Sequence, residues 1–490
     1  MRQLLEGRFW HCRHLLKCKS NFAHFINDIR ERRTQESTTT GSTAMGLLNF
    51  LTRTELEKFG PPTPEEFSEI GVSPTLLGDL ALKHLSLLQN PTAVSIAAKL
   101  HLPPALIEEL LYQLYREKLI EMRLQSAGDN TRYAMLDQGW EHLAQLKAQC
   151  GYLGPAPVSL EDYAFMMRLQ AGPSSPASIE TVRRAFADLV LPESLLQTLG
   201  CVINSRSALF LSGPPGSGKT AVAERINAVL AGSIWIPYAV EAEGEIIRIY
   251  DPHCHTRVVE KATERDSRWV EIERPLIMVG GELTLENTGL WWSDSARFYD
   301  APVQIKSNGG TLVIDDFGRQ RIDPRDLLNR WILPLERRVD YLSLRSGKKI
   351  ELPFEQLVVF STNLDEDRLV DEAFLRRFGY RARIESPSIA DYTEIFKRAA
   401  ARRQIAFDQA SLSHLLKKYV EEGRAPKSCE PRDLLNRVSD ICQFRGLAPH
   451  LSSELIDLAW NNYFGRASVP QQASRVATIQ ATAEPTVVTS

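Results

Sequence analysis

One eight-residue segment constrains the fold of this 490-residue chain more than any other. It matches the pattern GxxxxGK[ST] in full and consists of Gly213, Pro214, Pro215, Gly216, Ser217, Gly218, Lys219 and Thr220. An apolar run at 208–211 precedes it and a helix-forming segment at 221–230 follows, which is the strand–loop–helix setting that the motif requires. Glycines there let backbone N–H groups surround a phosphate, the lysine adds positive charge, and the threonine hydroxyl can ligate Mg²⁺. We therefore predict a nucleotide-phosphate loop rather than a structural glycine-rich turn.

A second motif ends in two adjacent carboxylates. Residues 309–314 predict a buried strand that leads into Asp315 and Asp316. Asp315 is placed to hold Mg²⁺ through water, and Asp316 to polarise or orient an attacking water. A solvated pair of acids at a strand end is the alternative, which the upstream phosphate loop disfavours.

Three further polar positions follow in chain order. A third apolar strand, residues 357–361, leads to Asn363, which can bridge a water and a γ-phosphate or simply form a turn. The adjacent Arg376 and Arg377 can stabilise a transferring phosphoryl group in trans, or pair with nearby acids. Arg432 lies in the first turn of a predicted helix, within an all-helical stretch.

In this order the motifs resemble those of AAA+ ATPases. The resemblance covers about residues 178–465. It implies an α/β fold, namely a P-loop NTPase with a parallel sheet flanked by helices and a C-terminal helical lid. It also implies ATP and Mg²⁺ as cofactors, and a homo-oligomeric ring, usually a hexamer, with each ATP at a subunit boundary.

The resemblance assigns a role to each motif. It implies Walker A at 213–220, Walker B at Asp315 and Asp316, sensor 1 at Asn363, an arginine finger at Arg376 or Arg377, and sensor 2 at Arg432. One position departs from the family, which usually has Glu where this chain has Asp316. The side chain is one methylene shorter, so the sequence is compatible with slow hydrolysis or with a slightly shifted backbone.

The span from Gly213 to Asp315 is far longer than the dozen or so residues that a parallel crossover needs. We expect extra strands there, including 245–250 with 268–272 as its possible partner, and a later hairpin at 341–353. These features resemble the helix-2-insert branch of AAA+ proteins, which includes MoxR-like ATPases and bacterial enhancer-binding activators. The activators' GAFTGA loop is absent, which argues against a transcription activator of that type. Candidate substrate contacts, with packing as the commoner role of such aromatics, are Tyr238, Trp291 and Trp292.

Residues 71–150 predict three helices, a hairpin with a turn at 127–130, and a fourth helix, an order that resembles a winged helix. A DNA-reading helix needs clustered positive charge. The presumed recognition helix instead carries mixed charges, namely Glu108, Glu109, Arg116, Glu117 and Lys118. Protein docking is therefore favoured over DNA reading.

The remaining boundaries follow from composition. Residues 1–70 are predicted to be a largely disordered leader, with Met45 as an alternative start, and 151–177 a linker rich in Gly, Pro and Ser. The nucleotide-binding domain is expected at 178–390, the helical lid at 391–465 and a disordered tail at 466–490.

The overall charge and the cysteines limit the partners and the compartment. The net charge of −3 provides no global field for nucleic acid, so such binding is possible but not favoured. No stretch of eighteen residues lacks a charge, and no membrane insertion is expected. Seven cysteines without a CxxC pair suit a reducing compartment, and a cytoplasmic location is predicted.

The expected function is ATP hydrolysis that drives a ring-forming, protein-remodelling motor or chaperone acting on an unknown protein client or adaptor. One alternative is an ATP-switched regulator that binds DNA through the winged helix. Another is a non-hydrolysing, nucleotide-gated scaffold, an alternative that is compatible with Asp316 in place of the usual Glu. A metal site at His253, Cys254 and His255 is a further, less favoured possibility, because no second ligand pair is evident.

Overall fold

The computed structural model describes residues 60–123, 131–173, 175–258, 265–364, 376 and 378–465. They fall into two compact units, the first holding 60–185, 192–212 and 220–382, and the second 186–191, 213–219 and 383–465. The predicted turn at 127–130, Arg377, the predicted tail and most of the predicted leader lie outside the described residues. Within the described part, no helix is long and apolar enough to cross a membrane.

The first unit begins with the helices and hairpin expected for 71–150. These elements are α1 (Phe67–Ile70), α2 (Pro74–Leu85), α3 (Ala93–Leu100), α4 (Pro104–Arg116), β1 (Ile120–Arg123), β2 (Arg132–Met135) and α5 (Asp137–Gln149). The side chains of Ser73 and Thr92 cap α2 and α3, and β1 pairs antiparallel with β2. The apolar faces of the helices share one buried cluster with Ala239 and Ile246, so this module packs against later strands of the same unit.

The end of the predicted leader is folded. Ile70 is fully buried, and Pro62 forms a β-bridge with Arg265. The backbone N–H of Asp266 donates to the carbonyl of Pro61 at 2.9 Å. Residues 60–70 therefore belong to the first unit, because long-range backbone bonds and burial hold a segment whose composition alone predicts disorder.

The predicted linker at 151–177 does not hold for its central part. Its centre forms β3 (Val158–Ser159) and α6 (Leu160–Leu169), and after the linker come α7 (Ile179–Ala185) and α8 (Glu193–Ser205). Val158 and Tyr163 are fully buried, and the Tyr163 hydroxyl accepts a hydrogen bond from Asn308 at 2.9 Å. The Gly- and Pro-rich ends flank an apolar centre. The hydrophobic effect favours burial of this centre in the first unit.

The predicted insertion lies between the phosphate loop and the acidic pair, a span in which the described residues form eight strands, β5 to β12. The elements are β4 (Leu209–Ser212), α9 (Lys219–Leu230), β5 (Ser233–Pro237), β6 (Ala239–Ala242), β7 (Glu245–Arg248), β8 (Trp269–Glu273), β9 (Leu276–Val279), β10 (Trp291–Trp292), β11 (Tyr299–Asp300), α10 (Val303–Lys306) and β12 (Thr311–Ile314). The expected pairing of 245–250 with 268–272 was wrong, since β7 pairs with β6 and β11 while β8 pairs antiparallel with β5. The tight turn at Glu243 and Gly244, both with positive φ, makes β6 the antiparallel neighbour of β7.

After β12 the chain forms α11 (Pro324–Arg337), β13 (Val339–Ser343), β14 (Lys349–Pro353), β15 (Leu357–Thr362) and β16 (Tyr380–Arg383). Strands β13 and β14 pair as a separate hairpin, as predicted. The main sheet has the order β16-β4-β15-β12-β9. The pairs β9–β12, β12–β15 and β15–β4 are parallel, and β4, β12 and β15 are buried along their whole length. This explains their unbroken apolar runs. A parallel sheet with the phosphate loop between β4 and α9, followed by a helical region, is the α/β P-loop architecture that the sequence predicts.

The second unit contains four helices in the region predicted as a lid. They are α12 (Ile389–Arg402), α13 (Gln409–Glu421), α14 (Glu430–Phe444) and α15 (Ser453–Phe464). Ser388, Asp408 and Ser452 cap three of them through side-chain oxygens. Phe396, Leu412 and Trp460 are buried in their shared core, which explains the helical periodicity of the segment.

Candidate functional site

The phosphate loop, in the second unit, closes around its own lysine. The ammonium group of Lys219 donates to the carbonyls of Gly213 and Pro214 at 2.9 and 3.0 Å. The backbone N–H of Ser217 donates to the same Pro214 carbonyl at 3.3 Å. Lys219 is buried at 7% exposure. The loop therefore concentrates a positive charge within a turn of backbone, as phosphate binding requires.

Two glycines shape this loop. Gly216 and Gly218 have φ of 81° and 96°, values that favour glycine. At Gly218, no atom of the described residues other than Gly218 and its neighbours in the chain lies within 4 Å of the position that a Cβ would occupy. The buried Ser217 hydroxyl also has no hydrogen-bond partner in that part of the chain. An accessible backbone beside an unsatisfied hydroxyl fits a phosphate group.

A hydroxyl and a carboxylate meet in the first unit. Thr220, in the first turn of α9, donates its hydroxyl proton to Oδ2 of Asp315 at 3.1 Å. Asp315 follows β12, and its backbone N–H donates to the Val279 carbonyl at the end of neighbouring β9, at 2.8 Å. Both side chains offer the oxygen ligands that Mg²⁺ prefers, so the pair fits that ion.

Asp316 and Asn363 form a second pair beside the first. Asp316 has a φ of 49°, in the left-handed region that Asp tolerates better than most residues. Its N–H donates to Oδ1 of Asp315 at 3.0 Å, and its own Oδ1 accepts from Nδ2 of Asn363 at 3.2 Å. Oδ1 of Asn363 is buried without a hydrogen-bond partner among the residues the structure describes. The structure thus brings together four of the predicted residues, Thr220, Asp315, Asp316 and Asn363.

The turn that carries Asp316 is held by bonds that the sequence did not suggest. The Phe317 N–H donates to the Ser361 carbonyl at 2.7 Å, and the Thr362 hydroxyl donates to the Phe317 carbonyl at 2.8 Å. Gln320 donates its amide to the Asp315 carbonyl at 2.7 Å and accepts from the Gly318 N–H at 2.8 Å. Sequence analysis missed Gln320, because a polar residue in a loop carries no signal of what it will contact.

The predicted arginines are placed differently from these four residues. Arg376 is exposed in a turn, and Phe378 beyond it packs its ring against Phe210 and Phe360 at centroid distances of 5.1 and 5.0 Å. Arg432, in the first turn of α14 as predicted, is 65% exposed and forms an ion pair with Asp433 at 3.0 Å.

The three candidate aromatic contacts divide into two classes. The Tyr238 ring packs against Tyr250 at 5.2 Å between centroids, and Trp292 packs against Tyr299 at 4.9 Å. Trp291 is 61% exposed on β10. Tyr238 and Trp292 therefore have a packing role, whereas the Trp291 ring is exposed and available for contact.

His255 has a structural role in the His-Cys-His segment. Nδ1 accepts from the Asp251 N–H at 3.0 Å, which leaves Nε2 as the protonated nitrogen that donates to the Lys306 carbonyl at 2.8 Å. Both ring nitrogens are therefore engaged by backbone. The described residues contain no group of three side chains suited to a metal.

These contacts predict an acid-sensitive fold. Burial lowers the pKa of His255 below its ordinary value of 6.5, so below that pH the unfolded chain takes up a proton that the folded chain resists. Stability from this residue is present above pH 6.5 and is lost as the pH falls toward the folded-state pKa, by up to about 1.4 kcal/mol per pH unit. Chemical unfolding between about pH 7.5 and 5.5 should show a shallower loss in His255→Asn. The exposed neighbour His253→Asn should keep the wild-type slope, and an equal slope in His255→Asn would contradict the assignment.

Comparisons with known proteins give partial similarities. A family model described as a domain of unknown function (DUF8689) matches residues 388–462, which contain α12 to α14 and most of α15. No curated protein matches the chain. NtrX from Brucella abortus in complex with ADP is 16% identical with a TM-score of 0.35, and the match covers 56% of each chain. The Thermotoga maritima RuvB Holliday junction branch migration motor is 15% identical with a TM-score of 0.31, over 61% of this chain and 73% of RuvB.

This chain therefore spans little more than half of that NtrX chain. The fold described above rests on the strand order and loop position of this chain itself.

Proposed function

We propose that this chain is an ATP-binding and ATP-hydrolysing AAA+ ATPase. One observation carries the proposal: the Thr220–Asp315 and Asp316–Asn363 pairs lie side by side where neighbouring parallel strands end. Ligands of open α/β sheets bind outside the carboxyl ends of the strands. A hydroxyl, three carboxyl or amide side chains and a phosphate loop are the groups that phosphoryl transfer to water uses.

The phosphate loop would hold the polyphosphate of ATP. Its backbone N–H groups and the Lys219 ammonium supply the donors, and the accessible backbone at Gly218 supports this role. Thr220 and Asp315 would hold Mg²⁺, which when bound neutralises developing charge on the phosphate oxygens.

Asp316 would act on the attacking water. One of its oxygens is held by Asn363, and no described residue donates to the other, which is available to take or orient a proton. The unpartnered Oδ1 of Asn363 can accept a hydrogen bond from the same water. These two side chains, at the ends of the neighbouring strands β12 and β15, therefore provide a base and an orienting group next to each other.

A homo-oligomeric ring would complete the site. Following the family resemblance, Arg376 or Arg377 would act as a finger toward the neighbouring subunit, Arg432 as sensor 2, and a hexamer would be the expected ring. The exposure of Arg376 supports a role outside its own subunit.

The N-terminal module would dock a protein client or adaptor. Its α4 exposes Tyr112 and Tyr115, and aromatic residues are enriched in protein interfaces. In the hairpin, Arg123 forms an ion pair with Glu121 at 2.5 Å, which reduces the charge that could face DNA. These contacts favour a protein-remodelling motor over an ATP-switched DNA-binding regulator.

The proposal is tested by measuring ATP turnover per subunit across a wide range of protein concentration. Turnover should rise cooperatively as rings assemble, and it should be lost when Mg²⁺ is chelated or when Lys219→Ala removes the loop charge. Lys417→Ala, an exposed lysine paired with Glu421, should behave as wild type.

Failure to bind ATP would overturn the proposed function. Tight ATP binding without turnover at any concentration would instead favour the nucleotide-gated scaffold. DNA binding that weakens about 10³-fold or more between about 50 and 200 mM salt would favour the regulator.

A further inference from the structure

The segment just before α14 lies directly on the phosphate loop, and both belong to the second unit. The Cys429 N–H donates to the Gly216 carbonyl at 3.1 Å. The Cys429 sulfur lies so close that a Cβ on Gly216 would come within 2.6 Å of it. A backbone hydrogen bond therefore joins loop and segment, and side chains of the segment leave no room for a side chain at Gly216.

Lys427 is part of this contact. Its Cδ and Cβ lie 3.4 and 3.6 Å from the same Cβ position on Gly216. The ammonium group is two bonds beyond Cδ, so it reaches the neighbourhood of the loop. No carboxylate within the described ranges forms an ion pair with it. Lys427 thus brings an uncompensated positive charge to a loop built to surround phosphate.

A buried carboxylate holds Lys427 in this position. Glu430 is 2% exposed, and its Oε2 accepts from the Lys427 N–H and from the Tyr419 hydroxyl, each at 2.7 Å. Tyr419 is in turn within 3.0 Å of the Tyr392 hydroxyl oxygen. The backbone of residues 427–430 is therefore fixed to the helical core by a satisfied polar network.

Arg432, the proposed sensor 2, differs from Lys427 in having an acidic partner. Its guanidinium pairs with Asp433 and is largely exposed. The Lys427 side chain lies beside Gly216 without an ion-pair partner among the described residues, whereas Arg432 already has an anionic partner.

From this geometry we infer that Lys427 is a second phosphate-binding lysine, delivered by the helical region to the polyphosphate of the nucleotide. The inference rests on the proposed function, because it assigns a further contact to the same ATP. Lysine acts as a point charge, so its contribution grows with the number of phosphates on the ligand.

The test is equilibrium binding of ATP, ADP and AMP to the full chain, with variants at three lysines. Lys427→Ala should weaken ATP binding about tenfold, which corresponds to about 1.4 kcal/mol, and change AMP binding less than about twofold. Lys427→Arg keeps the charge and should restore ATP binding to within about threefold of wild type. Lys417→Ala is the matched control in the same helical region, and thermal unfolding checks that each variant folds.

The outcomes separate this inference from the proposed function. If wild type fails to bind ATP, the proposed function fails and the inference fails with it. If Lys219→Ala no longer binds ATP but Lys427→Ala binds it as wild type does, the inference alone fails. Equal losses of affinity for ATP, ADP and AMP in Lys427→Ala would show that Lys427 has a purely structural role, which would also overturn the inference.

Discussion

Replacing Asp316 with Asn should leave ATP bound but reduce turnover by roughly 10²- to 10⁴-fold, the usual contribution of a general base. The amide cannot take a proton from water, whereas the phosphate loop and the Thr220–Asp315 pair remain intact. ATP affinity should therefore stay near the wild-type value, and the ATP-bound assembly should accumulate.

The geometry of this turn lets Asp316→Asn remove the carboxylate without changing the local structure. Asn adopts the left-handed backbone that Asp316 shows at a φ of 49°. Its amide oxygen can still accept from Asn363, so the hydrogen bond at 3.2 Å is preserved. Loss of activity would then result from the missing carboxylate and not from a change in structure.

Single-turnover hydrolysis and nucleotide binding should be measured together. Asp326→Asn, an exposed Asp in the first turn of α11, is the matched control and should hydrolyse ATP as wild type does. Unchanged turnover in Asp316→Asn would show that another group activates the water.

Replacing Arg268 with Leu should lower the free energy of unfolding of the first unit by about 3–5 kcal/mol. Arg268 and Asp266 form an ion pair at 2.8 Å with side chains 4% and 3% exposed. Removing the guanidinium leaves the carboxylate buried without its countercharge, which costs more than the pair itself contributes.

The same guanidinium also joins distant parts of the chain. It donates to the carbonyl of Ile70 at 2.9 Å and to that of Pro157 at 3.3 Å. These bonds fix the end of the predicted leader and the start of β3. Arg268→Leu should therefore loosen both segments as well as destabilise the unit.

Chemical unfolding measures this loss. The double variant Asp266→Leu with Arg268→Leu should recover part of it, because no unpaired charge is left. Arg123→Leu removes an arginine that is 68% exposed and should change stability by less than about 1 kcal/mol. A similarly small effect of Arg268→Leu would show that the buried pair is not required.

The prediction of the phosphate loop and of the buried strands needed only local patterns. Residues 213–220 carry a motif whose spacing is set by backbone geometry, and strands β12 and β15 are apolar because both faces of a parallel sheet are covered. Asp315 and Asn363 could be predicted as neighbours because adjacent parallel strands end at the same edge.

Interactions between distant residues were not predictable in this way. The tight turn that pairs β6 with β7, rather than β7 with β8, is one example, and the burial of Val158 and Tyr163 in a supposed linker is another. Composition describes the average preference of a segment, whereas burial depends on which distant apolar surface is available to cover it.

By itself, then, the sequence predicted the fold class and the residues that we propose to face a nucleotide, because both predictions depend on short-range pattern and covalent spacing. The tertiary structure alone decided that Arg268 joins Ile70 to Pro157 and that the Lys427 side chain lies beside Gly216. Such pairs are brought together by the packing of whole elements, and no spacing along the chain records which side chains that packing will join.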